Sequence, residues 1–432
     1  MGGRGLGRFA HFVWALALCA IVAGLGWPYR WPDYGSDVRE YRTFAIAGEP
    51  SHVHRQFAGR ILHPLIVHAV ANLGGIGVDY AFLIVAVTAL ALCVIAVAAL
   101  WREIGAPAPA LVPLLCTPFL VDQFWRIYSQ GLLEWAIVAW FFLLLERGRV
   151  WLAAALLFLA CITRESALLL AAAVVVVALT RGNRRLLALS LAATAGAFAL
   201  TGAVARNSLP NLHHVNGALF FALKFPFEFS RNMLGLTLVP NTLANSPGNN
   251  CAPVFRVMLP EFLRFGDLAW VSYCGFDLHR MLATFSVLAC GFGVGPAVLV
   301  ALSRRCRRRF SRAAGWLLTA LLYGVIAYLV GTSEGTALYD EIGSGWPAFW
   351  IGVPALMAMG ERPGARTIAM LLACNAAVSW MLPLASRSGA AGLAIIIGLA
   401  LTADVFAYRE AAKEPVRSAA SPDESTSSLR RA

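Results

Sequence analysis

The sequence predicts an all-α protein: a polytopic bundle of about twelve membrane-spanning helices, with amphipathic helices lying along one membrane surface. Three observations predict it. The chain of 432 residues is 59% hydrophobic and 13% charged, with a mean hydropathy of +0.69, whereas a soluble domain carries about 25% charged residues. Apolar runs recur from end to end, many of about 17–25 residues, the length that crosses a bilayer, and several shorter. The basic residues also sort to alternate connections between those runs, as the positive-inside rule requires.

The expected spans are 9–27, 77–100, 110–122, 131–145, 150–162, 166–180, 186–205, 281–302, 314–331, 347–360, 366–384 and 389–408. The first follows Arg4 and Arg8 and lacks a small-x-small site before Trp27, so it reads as a retained helix rather than a cleaved leader. Arg102, Arg147, Arg149, Arg181, Arg184, Arg185, the arginine cluster in 303–312, Arg362 and Arg366 fall on the same side as the N-terminus and the C-terminal tail. These segments hold the whole positive excess behind the net charge of +12, and the other side is close to neutral. The expected location is a bacterial inner membrane, multi-pass, with both termini cytoplasmic. The net charge thus marks cytoplasmic anchors, not a nucleic-acid partner. Residues 217–239 are apolar but carry Lys224, Pro226, Glu228 and Arg231, so they read as an amphipathic surface segment rather than another crossing. Residues 1–408 form the expected transmembrane domain, with two large outer loops at about 28–76 and 206–280. Residues 409–432, rich in Ser and Ala, read as a disordered cytoplasmic tail. Cys251 and Cys274 share the second outer loop, and the sequence leaves open whether they pair.

Chemistry concentrates on the outer side. The stretch "GSDVREYRTFAIAGEPSHVHRQFAGRILHPLIVHAV", Gly35–Val70, gathers Asp37, Glu40, Arg39, Arg42, Arg55, Arg60 and four histidines. Asp37 and Glu40 are three residues apart and share a helix face. Carboxylates beside arginines combine a proton acceptor with a forked clamp for a phosphate. Arg60 and His63 open a short amphipathic helix. Asp122, Arg126 and Glu134 flank the outer ends of the third and fourth spans, and Thr163-Arg164-Glu165 forms a hairpin tip. Ions at a membrane edge are functional candidates by default. Asp37 with Asp122 would also suit a divalent cation, Mg²⁺ or Mn²⁺, through carboxylate oxygens. No phosphate-binding Gly-rich loop, GxSxG, HExxH or dinucleotide fingerprint occurs, which removes most support from soluble nucleotide enzymes and from serine or zinc hydrolases.

These residues resemble the GT-C superfamily of integral-membrane glycosyltransferases. "SDVREY" is similar to the family's acidic-plus-tyrosine pattern in the first outer loop, "FAGRILHPLI" to an R-x-L-x-P-L stretch of bacterial members, and "LLEWAIVAWFFLLLERGR" followed by "TRESALLL" to their third-to-sixth-span region. The match covers roughly the first 190 residues. Two departures stand out: a doubled acidic pair in the first loop is here Asp37-x-x-Glu40, and the acidic residue near the fourth span is Glu134 rather than Asp. The resemblance implies inverting transfer of a sugar from a polyprenyl-phosphate donor to a glycan, lipid or protein acceptor on the outer face. It implies Asp37 as general base with Glu40 assisting, Arg60, His63 and Arg164 on the donor phosphate, and Asp122 and Glu134 as acceptor or metal residues. The competing expectation is a secondary transporter or lipid flippase, which would place its titratable residues at the membrane midplane. Here they crowd the membrane surface.

Overall fold

The computed structural model describes residues 36–103, 126–210, 217–241, 252–261, 268–292, 315–331 and 389–413, with a few isolated positions besides. The expected spans 9–27, 110–122, 347–360 and 366–384 lie outside the described residues, as do Asp122 and the 303–312 cluster.

The described chain opens with α1 (Ser36–Ala47), a 3₁₀ turn over Pro50–His52, the single turn α2 (Arg55–Ala58) and α3 (Leu62–Gly74). Tyr41, Phe44 and Ala45 form the buried stripe of α1, the i, i+3, i+4 pattern of an amphipathic helix. The first long apolar helix is α4 (Val78–Glu103). It is followed by α5 (Gly131–Glu146), α6 (Val150–Thr163), α7 (Ala167–Thr180) and α8 (Arg184–Ala205). α4 and α8 are long and apolar enough to cross a membrane, and α6 and α7 are apolar but shorter. α5 packs between α4 and α6, α6 against α8, and α7 against α8 and α11 (Gly315–Gly331). Trp140 of α5 donates its indole N–H to Leu92 O of α4 at 3.0 Å. At the far ends of the same two helices Arg147 Nε donates to Glu103 at 2.8 Å.

Asn183 caps α8 by accepting Leu186 N–H at 3.0 Å, which satisfies one of the orphan donors of a helix start. Gly48 and Gly75 lie at φ +70° and +58°, left-handed positions that end α1 and α3 at little cost only with glycine. The remaining long helices are α9 (Gly217–Leu234), α10 (Leu278–Phe292) and α12 (Ala390–Lys413), with α10 packed on α12.

One expectation is corrected. The fold is not all-α, because the loop at 206–280 carries a three-stranded antiparallel sheet of β1 (Leu236–Pro240), β2 (Phe255–Met258) and β3 (Trp270–Phe276), in the order β1-β3-β2. The segment expected to be a surface helix to residue 239 is helical only to Leu234, and Gly235 at φ +68° turns it into β1. The strands draw on Val, Thr, Tyr, Trp and Phe, whose branched and aromatic side chains fit a pleated surface better than a helix. Between Thr237 and Leu238 the register slips, so β3 carries one extra residue, Cys274. Cys274 is disulfide-bonded; Cys251, with which the sequence left its pairing open, lies outside the described residues.

Candidate active site

The two loops meet at one end of the bundle. Val53 O accepts Leu209 N–H and Leu209 O accepts Arg55 N–H, both at 2.9 Å, forming a parallel bridge across His54 and Leu209. Ile61 N–H donates to Ile162 O at 2.9 Å, which pins the α2–α3 connection to the α6–α7 tip. That bond sets Arg60 and the tip side by side.

α6 ends because Arg164 leaves the helical region, with φ −157° and ψ 143°. The three-residue tip Arg164-Glu165-Ser166 then starts α7. Arg60 forks onto Glu165: Nε donates to Oε2 at 2.8 Å and Nη2 to Oε1. Its Nη1 donates to the phenol oxygen of Tyr41. One guanidinium therefore joins α1, the α2–α3 connection and the tip through three donors, a geometry only arginine offers. The Glu165 side chain remains 46% exposed. Withdrawal from water would raise its carboxyl, but Arg60, with help from Arg164, holds it down at about 2. Tyr41 is buried, and burial raises its phenol above the ordinary value, with Arg60, Glu165, Asp37 and Arg164 all within electrostatic reach. It is a neutral hydroxyl. Because Tyr41 oxygen already accepts from Arg60, its own proton is available for donation.

Arg60 contacts Tyr41 directly, and the charges of Asp37 and Arg164 lie close enough to act on its phenol. Asp37 lies exposed in the first turn of α1, four residues before Tyr41 on the same face. Arg164 is 6% exposed at the tip. Glu40 is engaged elsewhere. It accepts the backbone N–H of His54 and contacts His54 Nδ1, both at 2.9 Å, so it holds α1 to the turn before α2. Glu134 is fully buried in the first turn of α5 and accepts the Ser166 hydroxyl at 2.6 Å, placing it beneath the tip. His63 stands apart from the expected phosphate face. It is buried against the Phe82 ring, centroids 5.4 Å apart, and Nδ1 has no hydrogen-bond partner among the described residues. Burial lowers it to about 3, so at neutral pH it carries no charge for an anion.

Sequence reasoning passed over Tyr41 and Ser166 as site residues and took Glu165 as half of a surface pair. The spacing of Asp37 and Tyr41 on one helix face was the available signal. Arg42 completes the frame, forking onto Asp79 of α4 at 2.9 and 3.1 Å while Tyr128 donates to the same carboxylate at 3.1 Å. Among the described residues no group of three or more His, Cys, Asp or Glu side chains forms a metal site.

No known family model matches this chain, and no curated protein matches it. Two solved structures are similar in fold. Over 92% of this chain and 77% of the other, it is similar to the crystal structure of ArnT from Cupriavidus metallidurans bound to undecaprenyl phosphate, at 15% identity and a TM-score of 0.47. Over 92% of this chain and 76% of the other, it is similar to the apo crystal structure of the same ArnT, at 14% identity and a TM-score of 0.45. At these values the likeness carries no functional weight, and the chemistry of the site stands on this chain's own residues.

Proposed function

We propose that this chain is a membrane glycosyltransferase that moves a sugar from a polyprenyl-phosphate donor to an acceptor hydroxyl at the outer membrane surface. The observation that carries the reading is the Arg60 guanidinium joining Glu165 and Tyr41 at the loop end of apolar helices, with the charges of Asp37 and Arg164 close enough to act on Tyr41. An isoprenoid tail lies among such helices, and its phosphate stays at their ends, where cations compensate the charge. In the proposed reaction the acceptor oxygen attacks the anomeric carbon, with inversion, and its proton passes to Asp37. The anomeric carbon–oxygen bond to phosphate breaks, and polyprenyl phosphate leaves with the electron pair.

Arg164 supplies the buried positive charge for that phosphate. Arg60, fixed by Glu165, supplies a second, and the Tyr41 hydroxyl donates to a phosphate oxygen. Glu40 and Glu134 act as positioning residues, the first through His54 and the second through Ser166. Should a Mg²⁺ or Mn²⁺ ion take part, Asp37 is the described ligand of the expected pair, and such an ion would add charge stabilisation of the phosphate.

The test is sugar transfer by purified protein in vesicles supplied with polyprenyl-phosphate sugars. Transfer with release of free polyprenyl phosphate supports the reading. A protein that transfers no sugar from any such donor but carries a solute or lipid across the bilayer overturns it in favour of the transporter.

A further inference from the structure

We infer that the β2 edge of the three-stranded sheet sits in the lipid headgroup layer of the membrane that α10 enters. This rests on the membrane part of the reading above and is independent of the transfer chemistry.

All four residues of β2 are exposed. Phe255 and Val257 are 53% and 50% exposed, and Met258, on the other face of the strand, is 63% exposed. Val254, just before the strand, is exposed as well. In register, Phe255 lines up with Tyr273 and Leu238, and Val257 with Val271 and Pro240, which gives that side of the sheet a continuous apolar row. On the opposite side of the sheet, β1 packs against α9. In water, an apolar edge strand is a template for aggregation, and natural edges are charged or covered. This one carries a single charge, Arg256, among three exposed apolar side chains.

Three features select a lipid surface as the cover. First, β3 passes into α10 through Asp277 alone, and α10 opens the apolar run at 281–302, so the sheet stands where that run meets the bilayer. Second, the sheet carries Phe255 on β2, paired in register with Tyr273, and Trp270, paired with Met258, and Trp and Tyr are the residues that collect at headgroup level. Third, the Arg256 guanidinium lies 4.7 Å from the Trp270 ring centroid, a cation on an apolar strand with lipid phosphates within reach. The depth follows from the backbone. The outward N–H and C=O groups of an edge strand need partners, which hydrocarbon lacks and headgroups with their water provide.

The test places the photo-crosslinker p-benzoylphenylalanine at Phe255, in full-length protein in phosphatidylethanolamine–phosphatidylglycerol vesicles. Val87, 48% exposed on α4, serves as the lipid-facing reference, and Glu49, exposed in the first loop, as the water-facing one. The expected result is a lipid adduct at Phe255 in a yield like that at Val87, with little at Glu49. A crosslink to a second copy of this chain overturns the proposal, as does a yield no higher than at Glu49. If Val87 also fails to crosslink lipid, the membrane reading itself is overturned, and the docking surface falls with it.

Discussion

At the scale of single residues, the site is a set of charges whose roles burial separates. Asp37 is exposed and His63 buried, although both sit in the same titratable stretch. Asp37→Asn keeps size and hydrogen bonding but removes the proton acceptor, so transfer should fall by about 10²–10⁴-fold while the melting temperature holds. A folded Asp37→Asn protein with full transfer would move the base elsewhere. His63 makes a second prediction, in stability. Its folded value of about 3 lies below the ordinary 6.5, so between those limits the unfolded chain binds a proton that the folded chain refuses. Stability is therefore intact above the unfolded value and is lost as pH falls through the window. His63→Leu should flatten the drop in melting temperature in detergent between about pH 7.5 and about pH 5. At that pH Glu165, held at about 2, has not begun to protonate in the fold. Equal losses in wild type and variant would count against His63.

At the scale of elements, the site depends on how α1, the α2–α3 connection and the α6–α7 tip are tied. Arg60 and the Ile61–Ile162 bond tie the last two, and Arg42 ties α1 to α4. A further tie is His68 of α3, whose Nδ1 donates to Ala45 O at 2.9 Å while Asn72 donates to Nε2 at 2.8 Å. A Cβ at Gly48 would fall 2.6 Å from His68 Nε2, and Gly48 already has φ +70°. Gly48→Ala should therefore destabilise by about 1–3 kcal/mol, read as a lower melting temperature, and an unchanged one would show that α1 is not anchored through this turn. At the tip, Arg164→Lys keeps the charge and loses the fork. Donor binding should weaken about tenfold, the value of one charge-assisted hydrogen bond, with little change in melting. Unaltered donor affinity in purified Arg164→Lys protein would remove Arg164 from the phosphate.

At the scale of the whole molecule, the proposal needs the two loops on one side of the membrane. The structure supplies half of that condition, because the Val53–Leu209 and Arg55–Leu209 bonds join them. The sidedness is an expectation that rests on the arginines between spans. Replacing Arg308 with cysteine on a cysteine-depleted background should give a thiol that a membrane-impermeant reagent reaches only after the cells are opened. Labelling of that position in intact cells would overturn the twelve-span topology and with it the outer placement of the site.

The sequence by itself determined the apolar helices, because such a helix announces itself in its own residues: α4 through α8 lie where the apolar runs predicted. It also marked Asp37, Arg60 and Arg164, since charges at the ends of such runs are conspicuous. It did not determine the pairings. Arg60 and Glu165 are 105 residues apart, and only the packing that sets Ile61 beside Ile162 brings them together. Glu40 looked like a second base until the turn at His54 folded back onto it, and His63 looked like a cation until α3 buried it against Phe82. The sheet was missed for the same reason. The strands of β1 and β2 are five and four residues long, too short for periodicity to mark alone, and β3 lies between them in space though last in sequence. Helices are closed by local hydrogen bonds and can be read locally; strands and ion pairs are closed by distant partners, which tertiary structure alone provides.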